Sequence, residues 1–249
     1  MQRLDHQYTG DLADLADFLL GVFVDAQKTG LPILADFYCC QGGATRGYQQ
    51  AGFYVIGVDL DPQPRYCGQA FIQGDALQLI AAMAPWIRAV GAAAHGSPPC
   101  QGYSDAQVLQ GREHPMLIAP TRDAFNALDV PWVIENVPGA VGHMISPVVL
   151  CGTMFGLQTY RDRYFEAGGG LVLPQPHHPR HDRPITKMGR PRREGEMAHY
   201  VGNFSGVQEA RDDLGMPWAN RDGLRECIPP AYAKWVGERL AAARLAPAA

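Results

Sequence analysis

The sequence lacks the features of membrane and secreted proteins. No apolar run approaches the ~20 residues that a membrane-spanning helix needs, and the opening stretch MQRLDHQYTGDL lacks the charged and then apolar pattern of a signal peptide. The 6 cysteines include no C-x-x-C pair and no spacing typical of a disulfide framework, which indicates reduced thiols. We therefore expect a cytoplasmic protein that does not associate with membranes.

A net positive charge is also missing. The formal charge of −4 over 249 residues argues against a protein that coats nucleic acid by bulk electrostatics, although it is compatible with a local basic patch. With 47% hydrophobic and 18% charged residues, the composition is that of an ordinary globular chain, long enough to bury a substantial core.

What the chain does contain is an alternation of short apolar segments and helical patterns. The predicted strands lie in LPILADFYCCQGG, FYVIGVDLD (53–61), AFIQGDAL (70–77), AVGAAAHGS (89–97) and PWVIENVPG (131–139). The predicted helices cover 11–28, the stretch after the first strand, 76–88, 120–128 and the last third of 207–246. This alternation predicts an α/β fold with a doubly wound, mostly parallel sheet of the Rossmann type, whose chemistry lies at the carboxyl ends of the strands.

The turn after the first predicted strand has the composition of a ligand-binding turn. Gly42 and Gly43 stand at a strand-to-helix junction, where backbone can approach a ligand closely. Asp59 ends the next strand, at about the distance along the chain at which an acid reaches ribose hydroxyls in doubly wound folds, and Asp75 closes the third strand. We predict a pocket for an adenosine-containing cofactor, with solvated loop acids as the alternative.

The stretch HGSPPCQGYS (95–104) places a single cysteine directly after two prolines. Two prolines make a rigid, extended lead-in to Cys100, and a thiol becomes a useful nucleophile only in a positive or hydrogen-bonding site. Glu135 follows the fifth strand, so both groups can face one cleft. Arg161 and Arg163 can supply the positive charge, and they share a face if their segment is a strand. The alternatives are a buried structural cysteine and arginines held in surface ion pairs.

Taken together, these segments resemble a known family. DFYCCQGGATRGYQQAGF, VDLD, GD, GSPPCQGYS, ENV and YRDRYFE are similar in order and spacing to the motifs of cytosine-C5 DNA methyltransferases, and most closely to the short phage and prophage members. The resemblance covers about 33–166 and resumes weakly at 206–240. It implies a Rossmann-like S-adenosylmethionine-dependent methyltransferase fold, with 1–166 as cofactor-binding and catalytic domain, 167–205 as a reduced target-recognition insert and 206–249 returning to the catalytic domain.

The resemblance also implies roles for individual residues. Phe37 would lie against the adenine of S-adenosylmethionine, Asp59 on the ribose and Asp75 near the adenine amino group. The residues expected at the cofactor are Phe37, Gly42, Gly43, Asp59, Leu60, Asp75 and Pro98. The expected catalytic residues are Cys100 as nucleophile, Glu135 at N3 of the target cytosine, and Arg161 and Arg163 at the ring O2 and the catalytic loop. Gln101 and Ser104 would contact DNA.

A basic stretch lies within the insert. Arg180, Arg183, Lys187, Arg190, Arg192 and Arg193 surround a single acid, and we expect them to bind DNA phosphates; a solvated loop without a partner is the alternative. Such a small insert predicts a short or degenerate recognition sequence. The histidines of this region, at 177, 178, 181 and 199, have no cysteine close to them in the sequence, so we expect no metal.

Several positions depart from the family pattern. Cys40 replaces a usual glycine, Tyr38 and Tyr103 replace phenylalanines, Gln158 is one residue out of register, and IPPAY (228–232) stands where a Gly-Asn motif is usual. The bulkier first turn would also permit an altered sulfonium cofactor. The expected function is methyl transfer from S-adenosylmethionine to C5 of a cytosine flipped out of double-stranded DNA, by a monomer encoded by a phage or prophage in a bacterial host. An RNA methyltransferase and a catalytically inactive DNA-binding decoy are the alternatives.

Overall fold

The computed structural model describes residues 6–103 and 115–245. Its strands are β1 (His6–Tyr8), β2 (Ile33–Phe37), β3 (Tyr54–Asp59), β4 (Ala70–Gln73), β5 (Ala93–Gly96), β6 (Trp132–Asn136), β7 (Val148–Leu150) and β8 (Arg163–Gly168). Its α-helices are α1 (Leu15–Thr29), α2 (Gly43–Gln50), α3 (Ala76–Val90), α4 (Ile118–Asn126), α5 (Val207–Leu214), α6 (Arg221–Glu226) and α7 (Pro230–Leu245).

The strands form a single sheet in the order β1-β4-β3-β2-β5-β6-β8-β7. Pairing is parallel from β1 through β6, whereas β8 runs antiparallel to both β6 and β7. From β4 to β6 the order is that of a doubly wound fold, and its direction of winding reverses between β2 and β5. The predicted fold class is therefore confirmed, and the crevice expected to hold ligands lies beyond the ends of these two strands.

Helices cover both faces of the sheet. One buried cluster joins α1, α3 and α4 to the sheet through residues such as Leu19, Ile80 and Phe125. A second cluster on the opposite face joins α2 and α7 through Tyr48 and Tyr232. Because both faces are covered, β2 is buried along its whole length, as its continuous apolar sequence predicts.

The first helix shows how the sequence sets an element. Its buried residues, Leu15, Leu19, Val22 and Ala26, recur at helical spacing and place one stripe against the sheet. Gly30 ends the helix in the left-handed conformation that glycine adopts without strain. The predicted start at residue 11 is one turn early, because Leu12–Asp14 forms a 3₁₀ turn before α1 begins.

Helices α2 and α7 approach closely at two glycines. A Cβ atom on Gly47 would lie 2.2 Å from the carbonyl oxygen of Pro230, and one on Gly237 would lie 2.7 Å from the Cβ of Ala51. This contact holds the C-terminal helix over the turn that follows β2. No α-helix within 6–103 and 115–245 is long and apolar enough to cross a membrane.

The insert at 167–205 is extended beyond the end of β8. It contains only isolated bridges, Thr159 with Ala198 and Ile185 with Met197, and otherwise neither helix nor strand after Gly168. Ion pairs of Arg190 with Glu196 and of Arg192 with Glu209 hold the insert, and Met197, Tyr200 and Phe204 are buried against neighbouring residues. The predicted loop-rich character is confirmed.

Candidate active site

The loop that carries Cys100 is bonded to both neighbouring strands. The amide of Ser97 donates to the carbonyl of Phe37 at 3.2 Å, which fixes the loop to the end of β2. The side-chain amide of Asn136 donates to the carbonyl of Pro98 at 2.8 Å, which fixes it to the end of β6. Proline has no amide proton, but its carbonyl accepts this bond. The thiol of Cys100 is half-buried just beyond these two anchors.

Glu135 and Arg163 form a buried ion pair across the antiparallel junction of β6 and β8. Glu135 lies opposite Phe165 in the ladder, so Arg163 is its diagonal neighbour. Arg163 Nε lies 3.0 Å from Glu135 Oε1, although the approach lacks hydrogen-bond geometry. Burial raises the pKa of Glu135, and the field of Arg163 opposes that rise.

Cys100, Glu135 and Arg163 share one electrostatic environment. Burial raises the pKa of the Cys100 thiol, the charge of Arg163 lowers it, and the charge of Glu135 raises it again. Interactions of this kind require proximity. That the thiol and the acid face one cleft stays a prediction, which the bond from Asn136 to the loop of Cys100 supports.

The two charges should shift the titration of Cys100 in opposite directions. We expect Glu135→Gln to lower the pKa of Cys100, because it removes a negative charge that disfavours the thiolate. Adding Arg163→Met in the Glu135→Gln background should raise that pKa, because the stabilising cation is then lost. Each unit of pKa changes the thiolate fraction about tenfold below the midpoint. The rate of Cys100 alkylation by iodoacetamide against pH, followed by peptide mass spectrometry, measures both shifts.

The Glu135→Gln background matters because removing Arg163 alone also raises the pKa of Glu135, and two coupled groups then titrate together. Cys67, whose pKa is raised to about 12 mainly by burial, is the internal control in the same digests. Shifts of Cys100 in the same direction in both comparisons would contradict the arrangement.

A second group of buried polar residues, centred on Asp36 and joined by hydrogen bonds, was not predicted from the sequence. Asp36 on β2 accepts hydrogen bonds from Thr45 Oγ1 at 2.5 Å and from His95 Nδ1 at 2.8 Å, and both Asp36 and His95 have no exposed surface. His95 Nε2 and Tyr48 Oη are buried without a hydrogen-bond partner among the described residues. His95 also lowers the pKa of Glu135. The signal in the sequence is an acid and a histidine inside otherwise apolar strands.

Arg161 does not share a strand face with Arg163, although its charge also lowers the pKa of Glu135. Its φ of 45° is left-handed and it precedes β8, so strand alternation does not put the two arginines on one face. Its guanidinium donates to the carbonyls of Tyr200, Leu224, Arg225 and Cys227. Three of these carbonyls lie at the C-terminal end of α6, where unpaired carbonyls and the helix dipole favour a cation. In this structure Arg161 is a buried clamp on α6.

A cavity opens where the winding of the sheet reverses. Tyr38, Cys40 and Gln41 line it after β2, Ser97 lines it after β5, and Glu226 closes it from α6. It contains about 300 Å³ of empty space, part of it open to solvent. We call it the switch-point cavity. Ser97, which lines the cavity, lies three residues before Cys100 in the same loop.

The aromatic residue expected at the cofactor requires a correction. The Phe37 ring is fully buried in the core, with its centroid 5.7 Å from that of Phe125, so it cannot lie against a ligand in this structure. The next residue, Tyr38, turns out of the strand with φ of 61° and lines the switch-point cavity. Its hydroxyl lies 3.0 Å from Thr121 Oγ1. Tyr38 replaces Phe37 as the candidate.

Close packing against other parts of the protein requires glycine at both Gly42 and Gly43. Gly42 has φ of 84°, and a Cβ there would lie 2.7 Å from Cys67 Sγ. A Cβ on Gly43 would lie 2.4 Å from the carbonyl oxygen of Ile228. Gly43 also lines the switch-point cavity. Cys40, which stands where the family has glycine, has φ of 46°, a region that favours glycine.

The remaining cofactor candidates surround this turn. Asp59 Oδ2 accepts from the amide of Cys40 at 2.8 Å and so holds the turn in place. Asp75 caps α3 by accepting from the amide of Gln78 at 2.9 Å, and its carboxylate is exposed. Leu60 is exposed at the same edge of the sheet. Pro98 is buried in the Cys100 loop.

The candidate DNA contacts divide into two groups. Arg183 donates to backbone carbonyls, while Arg190 and Arg192 are held by the ion pairs of the insert. The side chains of Arg180, Lys187 and Arg193 make no hydrogen bond or ion pair with any residue in 6–103 or 115–245. Gln101 is exposed at the start of a 3₁₀ turn after Cys100, and Ser104 lies outside the described residues.

No protein-family model and no curated protein matches the chain. A solved structure described as a DNA modification methyltransferase encoded within an E. coli prophage is 21% identical over 55% of this chain and 46% of its own, with a TM-score of 0.38. Two structures of WbdD, one of them monomeric, are 15% and 14% identical over 70% of this chain, with TM-scores of 0.32 and 0.31. The chain spans about half the length of these structures. The residues of the site, and not these likenesses, carry the functional inference.

Proposed function

We propose that the protein is a DNA cytosine-C5 methyltransferase that uses Cys100 as a covalent nucleophile. The supporting observation is the buried pair of Glu135 and Arg163 in the electrostatic environment of a half-buried thiol, whose loop Asn136 fixes to the same strand. A nucleophile, an acid with a raised pKa and a cation at the ends of adjacent strands are the groups that addition to a pyrimidine requires.

The chemistry follows from the weakness of C5 as a nucleophile. The thiolate of Cys100 adds to C6 while the carboxylic acid of Glu135 donates a hydrogen bond or a proton to N3, and the C5–C4 bond becomes an enamine. C5 would then form a bond to the methyl carbon as the carbon–sulfur bond of the sulfonium donor breaks, and the electron pair of that bond would remain on sulfur. A base removes the proton from C5, the electron pair expels the thiolate, and the ring is restored. Burial of Glu135 supports this role because it keeps the acid form available at higher pH.

The switch-point cavity is the candidate site for S-adenosylmethionine, which would supply an electrophilic methyl group. The residues present fit such a cation: Tyr38 offers an aromatic face, Glu226 a carboxylate, and the turn after β2 a glycine at Gly43. Asp75 and Leu60 lie at neighbouring strand ends and could hold its adenosine portion. Ser97 belongs both to this cavity and to the loop of Cys100, which supports transfer to a base held near the thiol.

A base inside a duplex does not expose C6, so the target cytosine must leave the stack. The exposed cations Arg180, Lys187 and Arg193 are free to neutralise phosphates, whereas the ion-paired arginines order the insert that presents them. Exposed cations without ion-pair partners among the described residues favour nucleic acid as the substrate. The family resemblance of the sequence favours DNA.

Transfer of a labelled methyl group tests the proposal. With labelled S-adenosylmethionine we expect incorporation into double-stranded DNA that contains cytosine, none into the matched duplex in which 5-methylcytosine replaces it, and little into RNA of the same sequence. Label in RNA alone would replace DNA by RNA as the substrate. Binding of DNA without binding of S-adenosylmethionine would instead indicate a decoy.

A further inference from the structure

Four side chains from three distant segments meet at the start of the insert. Cys151 follows β7, Asp162 precedes β8, and His178 and His181 belong to the insert. One potential ligand atom from each lies within 4.8 Å of every other. The expectation of no metal rested on the absence of a nearby cysteine in the sequence. The fold supplies one, because β7 and β8 are paired neighbours.

The distances between these atoms suit a tetrahedral metal site. Cys151 Sγ lies 3.3 Å from His181 Nε2, and Asp162 Oδ1 lies 3.4 Å from His181 Nε2 and 3.5 Å from His178 Nε2. Bonds of about 2.3 Å from Zn²⁺ to sulfur and about 2.0–2.1 Å to nitrogen or oxygen put tetrahedral ligands roughly 3.3–3.6 Å apart. The cluster therefore needs little rearrangement to surround one ion.

The surroundings of the cluster favour binding over chance proximity. Asp162 Oδ1 is buried and, although two imidazole nitrogens lie 3.4 and 3.5 Å away, it forms no hydrogen bond with a described residue, a need that a bound cation would satisfy. The His181 ring stacks on Tyr160 with centroids 3.8 Å apart, and the Tyr160 hydroxyl accepts from the amide of Arg183 at 2.8 Å. Such contacts orient a ligand ring.

The chemistry of the donors selects the metal. A thiolate, two imidazoles and one carboxylate form a mixed sulfur, nitrogen and oxygen set, which suits Zn²⁺ and not the oxygen-seeking Mg²⁺ or Ca²⁺. Zinc binds cysteine as the thiolate, so binding would displace the proton of the Cys151 thiol. With four protein ligands the site leaves no open position for catalysis, which indicates a structural ion.

We propose that Cys151, Asp162, His178 and His181 bind one Zn²⁺ that fixes the insert to the edge of the sheet. The insert has no helix or strand beyond β8 and no large core of its own, so a metal supplies stability that packing cannot. Because Asp162 is adjacent to Arg163, the same ion would tie the position of the basic insert to the catalytic edge. This inference does not depend on methyl transfer.

Metal analysis of the full-length, untagged protein tests the site. We expect one zinc per chain after purification, and a Kd for Zn²⁺ on the order of 10⁻⁷ M or tighter in competition with a chromophoric chelator. Co²⁺ added to the metal-free protein should give a thiolate-to-metal charge-transfer band. That band should disappear in Cys151→Ser, and His181→Ala should weaken Zn²⁺ binding by at least about 100-fold.

His177→Ala is the matched control, since this exposed histidine precedes the ligands in the same loop and lies outside the cluster. It should retain both the zinc and the charge-transfer band. If Cys151→Ser fails to fold by circular dichroism, His178→Ala provides the comparison. A folded wild-type protein that binds no Zn²⁺ at micromolar concentration would overturn the proposal, and so would equal loss of metal from His177→Ala and His181→Ala.

Discussion

Cys100→Ser is expected to abolish covalent capture of DNA that contains 5-fluorocytosine, whereas the wild-type protein forms an adduct that survives denaturation. Fluorine at C5 cannot leave as a proton does, so the thiol that has added to C6 is not expelled. A serine hydroxyl in the same place is far less nucleophilic, and we expect methyl transfer to fall by about 10³-fold or more. Denaturing gel electrophoresis with labelled duplex and S-adenosylmethionine measures capture.

Cys67→Ser is a suitable control, because the thiol of Cys67 donates to the carbonyl of Gly42 and a serine hydroxyl can replace that bond. This variant should still form the adduct. Glu135→Gln should bind the duplex but form adduct much more slowly, since Cys100 then adds to a ring without an acid at N3. An adduct that persists in Cys100→Ser, or that is lost equally in Cys67→Ser, would remove Cys100 from the mechanism.

The central strands are the part of the fold that the sequence predicts best. Parallel strands buried on both faces are continuous apolar runs, so β2 to β6 stand out between glycines and acids. Cys100 and Glu135 follow from this prediction directly, because the ends of adjacent parallel strands meet at one edge. Neither β1 nor β7 is predicted, since strands of 3 residues carry too little pattern.

Complete burial makes β2 easy to predict as a strand, but it leaves no pattern that shows which side chains point to which face. A strand with one wet face alternates polar and apolar residues, and a shift of one residue exchanges its faces. All 5 residues of β2 are buried, so no alternation shows which side chain leaves the strand. The family resemblance implies Phe37 at the ligand, and the strand offers no alternation that would correct this, whereas the chain turns at Tyr38 and presents that ring instead.

Contacts between distant segments are the part that the sequence cannot supply. The pairing of β8 with β6 brings Arg163 to Glu135, and the pairing of β8 with β7 brings Cys151 toward the insert. Both depend on which strand lies beside which, and local composition does not encode that choice. The partners of Arg161 are backbone carbonyls, which have no signature in any sequence.

Arg161→Met is expected to destabilise the protein by roughly 3 kcal/mol or more, the usual cost of leaving buried polar partners without their cation. The guanidinium satisfies carbonyls from Tyr200 and from the end of α6, and methionine fills part of the volume but donates no hydrogen bond. For a chain of this size the loss corresponds to a fall in Tm of roughly 6–12 °C. Thermal unfolding followed by circular dichroism measures it.

Arg225→Met separates the clamp from a general effect of charge on α6. Arg225 lies on the same helix, but its side chain is 42% exposed and its ion-pair partners among the described residues are Asp222 and Glu226, so its loss should change stability by less than about 1 kcal/mol. Arg161→Lys should restore only part of the stability, because an ammonium cannot reach the carbonyls on both sides as a planar guanidinium does. Equal destabilisation by Arg161→Met and Arg225→Met would contradict the clamp and return Arg161 to the candidates for direct contact with the cytosine ring.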